Sequence, residues 1–186
     1  VRILACADLH GLPERIARVR ELVGVYAPDV VLLPGDLTHV GRGEDALALL
    51  HTLPVPVLAI PGNMDGPRAV AEIAARGSLF GPEAVVIGGV SFGGPDVRTP
   101  CDVLLTHEPP SGTLDVVPSG RHIGAQAVSA LVAGLHPRVL TCGHVHESPG
   151  VERLGQTVVV NCTMGDGKTG GALIELTPDG VDARLL

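Results

Sequence analysis

The 186-residue sequence predicts an α/β domain of two packed β-sheets with helices outside. Three observations carry that expectation. The first third alternates short β-branched runs with helically spaced segments, and the second half consists of short strands separated by glycine-marked turns. Potential metal ligands also fall just beyond the ends of these strands. With 45% apolar and 18% charged residues, one domain spanning 1–186 has enough core to bury roughly 70% of the surface that its unfolded chain exposes.

Residues 2–7 form the first predicted strand, and Pro13 opens a helix to about Val25 with Ile16, Val19, Leu22 and Val23 on one face. A strand at 29–33, a helix from Glu44 to Leu53, a strand at 55–60 and a proline-opened helix at 67–76 follow. These units place three parallel strands side by side. After Gly77 come strands at 84–87, 90–92 and 102–106, then a helix at 125–135. From there the pattern predicts an antiparallel run, with strands at 138–142, 151–154, 157–161, 172–176 and 181–185 joined by tight turns such as Leu154-Gly155-Gln156. No repeat or linker divides the chain. Residues 108–124 are its one long irregular segment, and such loops in compact domains are often functional.

Composition narrows the function. A net charge of −7 without a basic run gives no footprint for nucleic-acid backbone or anionic lipid, and the one lysine is Lys168. Only Tyr26, Phe80 and Phe92 are aromatic, so there is no platform on which bases could stack. Nucleic acid and membrane are therefore disfavoured as partners. Cys6, Cys101, Cys142 and Cys162 lack C-x-x-C spacing and read as reduced thiols. With no charged leader before an apolar stretch and no run near 20 apolar residues, a cytoplasmic protein is expected.

The strand ends carry the chemistry. Asp8-Leu9-His10 follows the first strand, Gly35-Asp36 the second, Gly62-Asn63-Met64-Asp65 the third, Thr106-His107 the 102–106 strand and Gly143-His144-Val145-His146 the 138–142 strand. Parallel strands converge at their carboxyl ends, so these five segments can deliver side chains to one crevice. Any one of them alone is ordinary, because aspartate commonly ends a strand in a turn or cap. As a set, Asp8, His10, Asp36, Asn63, His107, His144 and His146 are too many for a four-ligand zinc and enough for two ions sharing a carboxylate. Two dications, two aspartates and a bridging hydroxide leave a net charge of about +1, which attracts an anion. Nitrogen and oxygen donors without thiolate suit manganese, iron, zinc, cobalt or nickel.

The ordered set D-L-H, G-D, G-N-x-D, T-H and G-H-V-H resembles the calcineurin-like metallophosphoesterase superfamily over residues 4–162. GDLTH at 35–39, THEPPSGTLD at 106–115 and GRHIG at 120–124 resemble its small single-domain branch of predicted phosphoesterases related to cyclic-nucleotide phosphodiesterases. The resemblance implies a four-layer α/β/β/α sandwich of two mixed sheets. It further implies that Asp8, His10, Asp36 and His146 hold one metal and Asp36, Asn63, His107 and His144 a second, with Asp36 as bridge. A hydroxide between the two ions would attack the phosphorus of a small phosphate ester, most readily a diester, with a nucleotide as one candidate.

One residue departs from the pattern. Many superfamily members carry a histidine after the asparagine, where it protonates the leaving oxygen or steadies the transition state; here Met64 stands there, and a thioether donates no proton. His39 and His122 are the candidates to replace it. The alternative to an enzyme is a scaffold or binding module on the same fold, against which the complete ligand set argues. Gly89-Val90-Ser91-Phe92-Gly93 matches a nucleophile elbow, but no helix follows it. Gly167-Lys168-Thr169 lacks the earlier glycine of a phosphate loop.

Overall fold

The computed structural model describes residues 1–76 and 81–186, so Gly77 and Phe80 lie outside the described residues. In chain order the elements are β1 (Arg2–Ala5), α1 (Pro13–Tyr26), β2 (Val30–Pro34), α2 (Leu49–Thr52), β3 (Val57–Ile60), α3 (Pro67–Arg76), β4 (Val85–Ile87), β5 (Val90–Gly93), β6 (Val103–Leu105), α4 (Gln126–Leu135), β7 (Val139–Cys142), β8 (Gly150–Leu154), β9 (Thr157–Asn161), β10 (Ala172–Thr177) and β11 (Gly180–Leu185). They form two mixed sheets, ordered β11-β10-β1-β2-β3 and β4-β5-β6-β7-β9-β8.

The layers follow from strand alternation. On β1, Ile3 and Ala5 face the other sheet, where they meet Phe92, Val103, Leu105, Val139 and Val160 in one buried cluster. Leu4 and Cys6 face the opposite way, against Ile16, Val19, Leu22 and Val23 of α1 and Ala69 and Ile73 of α3. On the far side, Leu104, Leu140 and Val159 pack under Val128 and Val132 of α4. The result is helices, sheet, sheet and helix. Among the described residues no helix is long and apolar enough to cross a membrane.

Two expectations need correction. Residues 44–53 do not form one helix: Glu44–Ala48 is a 3₁₀ segment and α2 is a single turn. Ala46 and Leu47 are buried from the 3₁₀ segment, and Leu49 and Leu50, three residues further on, from the α-helical turn. Nor is the chain antiparallel throughout after residue 138. β7 pairs parallel with both β6 and β9, because α4 crosses over from β6 and β8 carries the chain back before β9. β10 then leaves that sheet and pairs antiparallel with β1, so the carboxyl-terminal hairpin completes the amino-terminal sheet.

Candidate metal centre

The carboxyl ends of β1, β2 and β3 from one sheet and of β6 and β7 from the other open on the same face. The two sheets are stitched there by Ala7, whose N–H donates to Cys162 O at 3.1 Å and whose carbonyl accepts from Met164 N at 3.0 Å. Beyond these ends the chain must reverse sharply while aiming side chains inward. Asp8, His10, Asp36 and His144 accordingly have positive φ, at 60°, 51°, 53° and 68°. That left-handed conformation costs a non-glycine residue about 1–2 kcal/mol, least for short polar side chains. Four strained residues sit together where five segments over-determine their backbone, as strain at functional sites requires. Glycines make room for them. A Cβ on Gly62 would lie 2.2 Å from Asp36 Oδ1, and one on Gly143 would lie 2.5 Å from Asp8 Oδ2.

The seven expected residues form one series of contacts, side chain to side chain except between Asp8 and His144, where the His144 backbone N–H makes the link. His10 Nε2 is 3.3 Å from His146 Nε2, which is 3.6 Å from Asp8 Oδ1. Asp8 Oδ2 accepts from the His144 N–H at 3.0 Å. His144 Nδ1 and His107 Nε2 each lie 3.0 Å from Asn63 Oδ1, and His107 Nε2 lies 3.4 Å from Asp36 Oδ2. Ligand atoms of Asp8, His10 and His146 lie within 4.8 Å of one another, as do those of Asp8, Asp36 and His107. Atoms bound at about 2.0–2.2 Å to one ion stand roughly 3.0–3.5 Å apart, the spacing of the His10–His146, His107–Asn63, His144–Asn63 and His107–Asp36 pairs.

The donor chemistry also fits cations. His107 Nδ1 lies 2.9 Å from Pro34 O and must donate to that carbonyl, so its Nε2 lone pair is turned toward the oxygens of Asn63 and Asp36. The facing Nε2 atoms of His10 and His146 share an N–H···N hydrogen bond when one carries the proton, and with both lone pairs free they can converge on a cation. Buried His10 Nδ1 finds no hydrogen-bond partner among the described residues. Burial lowers His10 and His144 below the ordinary imidazole value. Contact with Asp8 raises His146, and in His107 the Asp36 carboxylate outweighs the lowering effect of burial. Asp8 is fully buried, which would raise its carboxyl; contact with His146, the charge of His107 and the Thr163 hydroxyl outweigh that and hold it low.

Three residues that position the site carried no role in the sequence reading. Asp65, the last residue of G-N-x-D, accepts from Leu37 N, Thr38 N, Thr38 Oγ1 and Gly62 N, clamping the segment after β2 to the segment after β3. Arg15 Nη1 donates to Asp8 O at 2.6 Å. Thr163 Oγ1 accepts from Gly165 N at 2.9 Å, and its hydroxyl helps to hold the Asp8 carboxyl low.

Of the two histidines considered in place of Met64, His39 reaches the centre, its ring centroid lying 5.3 Å from that of His10. His122 instead pairs with buried Asp115 at 2.6 Å, and among the described residues it contacts none of the seven. Ser91 bonds the Asp102 carboxylate from β5 and is no nucleophile elbow. The 165–171 segment is a turn closed on Asp166, which accepts from Lys168 N and Thr169 N. All four cysteines are free and buried, and burial pushes the Cys6 thiol up to about 12.

Two cavities flank the series of contacts. One of about 550 Å³ includes His10 and His146 in its wall, and one of about 350 Å³ includes His107, His144 and Asn63. A larger cavity of about 710 Å³ lies between α4 and the β8–β9 turn and touches none of the seven.

This constellation, on this pair of sheets, is that of a metal-dependent phosphoesterase. The family model for calcineurin-like phosphoesterase matches residues 1–148, and the chain belongs to that family. An uncharacterized protein of Methanocaldococcus jannaschii, MJ1162, is 26% identical over 195 residues, covering 87% of each chain. Among solved structures, TT1561 of Thermus thermophilus superposes with a TM-score of 0.70 at 15% identity, covering 99% of this chain and 98% of its own. A novel archaeal phosphodiesterase superposes with a TM-score of 0.65 at 19% identity, covering all of both chains. At these identities the superpositions establish the shared fold.

Proposed function

We propose that the chain hydrolyses a phosphodiester at two divalent ions, with Asp8, His10, Asp36 and His146 holding one and Asp36, Asn63, His107 and His144 the other. The observation that carries this reading is the series of 3.0–3.6 Å contacts that links all seven residues, side chain to side chain except where Asp8 accepts from the backbone N–H of His144, and that ends on Asp36. Divalent ions there would acidify water and neutralise charge on the phosphoryl oxygens.

The protein's own contribution is position. His107 is locked by Pro34 O, so its orientation is set before substrate arrives. Asn63 supplies a neutral oxygen, leaving only two carboxylates against two dications, and the site keeps its attraction for an anion. Met64 cannot protonate a leaving group, which favours esters whose alcohol departs as a stable anion. The substrate is read as a small phosphate ester, with a nucleotide as candidate, and the free buried cysteines fit a reducing compartment such as the cytoplasm.

The test is turnover of bis(p-nitrophenyl) phosphate by purified chain reconstituted in turn with manganese, iron, zinc, cobalt and nickel. Metal-dependent release of nitrophenol with about two ions per chain is expected. Bound metal with no release for any ion would favour a scaffold on the same fold.

A further inference from the structure

The two cavities beside the metal centre differ in character. The one next to His107 and His144 is walled by Pro61, Pro95 and Val128 and carries one charged group, Glu108. The one next to His10 and His146 is walled by Arg15, Arg42 and His39 with Gly165 and contains no carboxylate. In a chain of net charge −7, two arginines facing one cavity without an acid are conspicuous.

Their surroundings do not neutralise them. Arg42 makes no side-chain hydrogen bond or ion pair among the described residues. Its acidic sequence neighbour Glu44 is taken by Arg68 at 2.7 Å. Arg15 spends Nη1 on Asp8 O and has only a 3.5 Å contact from Nη2 to Gly165 O. Arg15 also forms the wall to an adjoining cavity that contains Arg18 and Lys168, with Glu14 at its edge.

The backbone holds this arrangement firmly. His39 and Arg42 exchange both backbone hydrogen bonds, each 3.0 Å long, across a two-residue turn at Val40 and Gly41. Residues so paired project to the same side, here into the cavity. Val40 has a φ of 48°, costly for a β-branched residue, and its N–H donates to Met64 O at 2.9 Å. Gly11 and Gly43 meet backbone to backbone beneath, where a Cβ on Gly11 would stand 2.3 Å from Gly43 Cα.

We infer that the Arg15–His39–Arg42 cavity is a subsite for a second phosphate, so that the substrate is an unsymmetrical phosphodiester with a further phosphate on one arm and an uncharged, nucleoside-like group on the other. The inference rests on the diesterase reading. The scissile phosphate sits over the ion pair, the phosphorylated arm runs past His10 and His146 to Arg42, and the neutral arm lies between Pro61 and Pro95. Guanidinium is the side chain whose fork matches phosphate oxygens, and an exposed arginine near a desolvated anion holds it with charge-assisted hydrogen bonds.

Two measurements on metal-reconstituted full chain test it. The first compares kcat/KM for the dinucleotides ApA and pApA, which differ only in a terminal 5′-phosphate. The second compares calorimetric affinity for AMP and adenosine 3′,5′-bisphosphate and needs no turnover. The phosphorylated member of each pair should be preferred tenfold or more at low salt, Arg42→Ala should shrink both ratios to within about threefold of one, and Arg42→Lys should restore part of each. Equal affinity for the two adenosine nucleotides in the unaltered chain, or a preference that survives Arg42→Ala, overturns the subsite. An Arg42-dependent binding preference with no cleavage of ApA, pApA or bis(p-nitrophenyl) phosphate supports the subsite and overturns the diesterase reading.

Discussion

The backbone N–H of Met64 donates to Asp36 Oδ1 at 2.7 Å. The contact uses the main chain, so the side chain at 64 can change without disturbing the aspartate that is proposed to bridge the ions. On the proposed reading, residue 64 would set leaving-group chemistry independently of metal binding. As it stands, the chain should cleave aryl diesters much faster than alkyl monoesters. Met64→His should raise alkyl monoester hydrolysis at least tenfold relative to the aryl diester, within the roughly 10²–10⁴-fold that general acid catalysis contributes. Steady-state rates on both substrate classes for both proteins, with bound metal measured alongside, check this; equal rates on the two classes by the unaltered chain would count against it.

Asp36→Asn removes the one carboxylate assigned to both ions. Bound metal should fall below half of its original content, and diesterase activity by more than about a hundredfold, since loss of even an outer-shell partner commonly costs 10–100-fold. Elemental analysis after desalting, paired with rates at saturating metal, gives the answer. Full metal content at full rate would refute the assignment.

Asp65 acts at one remove. Its carboxylate takes four donors from two segments, and Asp65→Ala leaves Thr38 N–H and Gly62 N–H without partners. A stability loss of about 2–4 kcal/mol is expected in urea unfolding of the metal-free chain, from unpaired donors at about 1–3 kcal/mol each. Asp65→Asn, which keeps an acceptor oxygen, should recover part of it. Weaker metal binding should accompany the alanine variant, because Asp36 and Asn63 lie in the clamped segments.

The strand-end motifs were readable because a ligand triplet, a preceding glycine and a β-branched run are all local in sequence. The roles of Asp65 and Arg15 were not, since each acts on backbone atoms: Asp65 reaches Thr38 N–H across 27 positions, and Arg15 reaches a carbonyl. No residue type advertises an acceptor for someone else's amide. The membership of β10 was hidden for a related reason. Ala172–Thr177 opens on a buried apolar run, Ala172 to Ile174, that suits a place in either sheet, and only the uncovered edge of β1 in three dimensions selects its partner. At 44–53 one helix is expected, and burial at 46, 47, 49 and 50, spaced by three and by four, suits a 3₁₀ segment and an α-helical turn alike, so sequence does not separate them.

Asp115 supplies a pH dependence remote from the metal centre. Burial would raise its carboxyl, but the N–H groups of Gly112 and Gly124 and the His122 ring outweigh that and hold it below the usual carboxylate value. A depressed folded value means that its stabilisation is complete above about pH 4, the unfolded value, and fades as pH falls through the folded one. Asp115→Asn should therefore lower Tm at pH 7, and the difference from the unaltered chain should shrink toward pH 2. A Tm difference constant across that range would contradict the charged pairing.

His10 and His146 meet across 136 positions of sequence, at the seam where the two sheets join. No amino-terminal fragment leaving a ribosome can therefore trap an ion between them until nearly the entire polypeptide has been made. Loading between them would be a late event in maturation, and a bound ion would act as a rivet through the seam, adding its binding energy to the folded state.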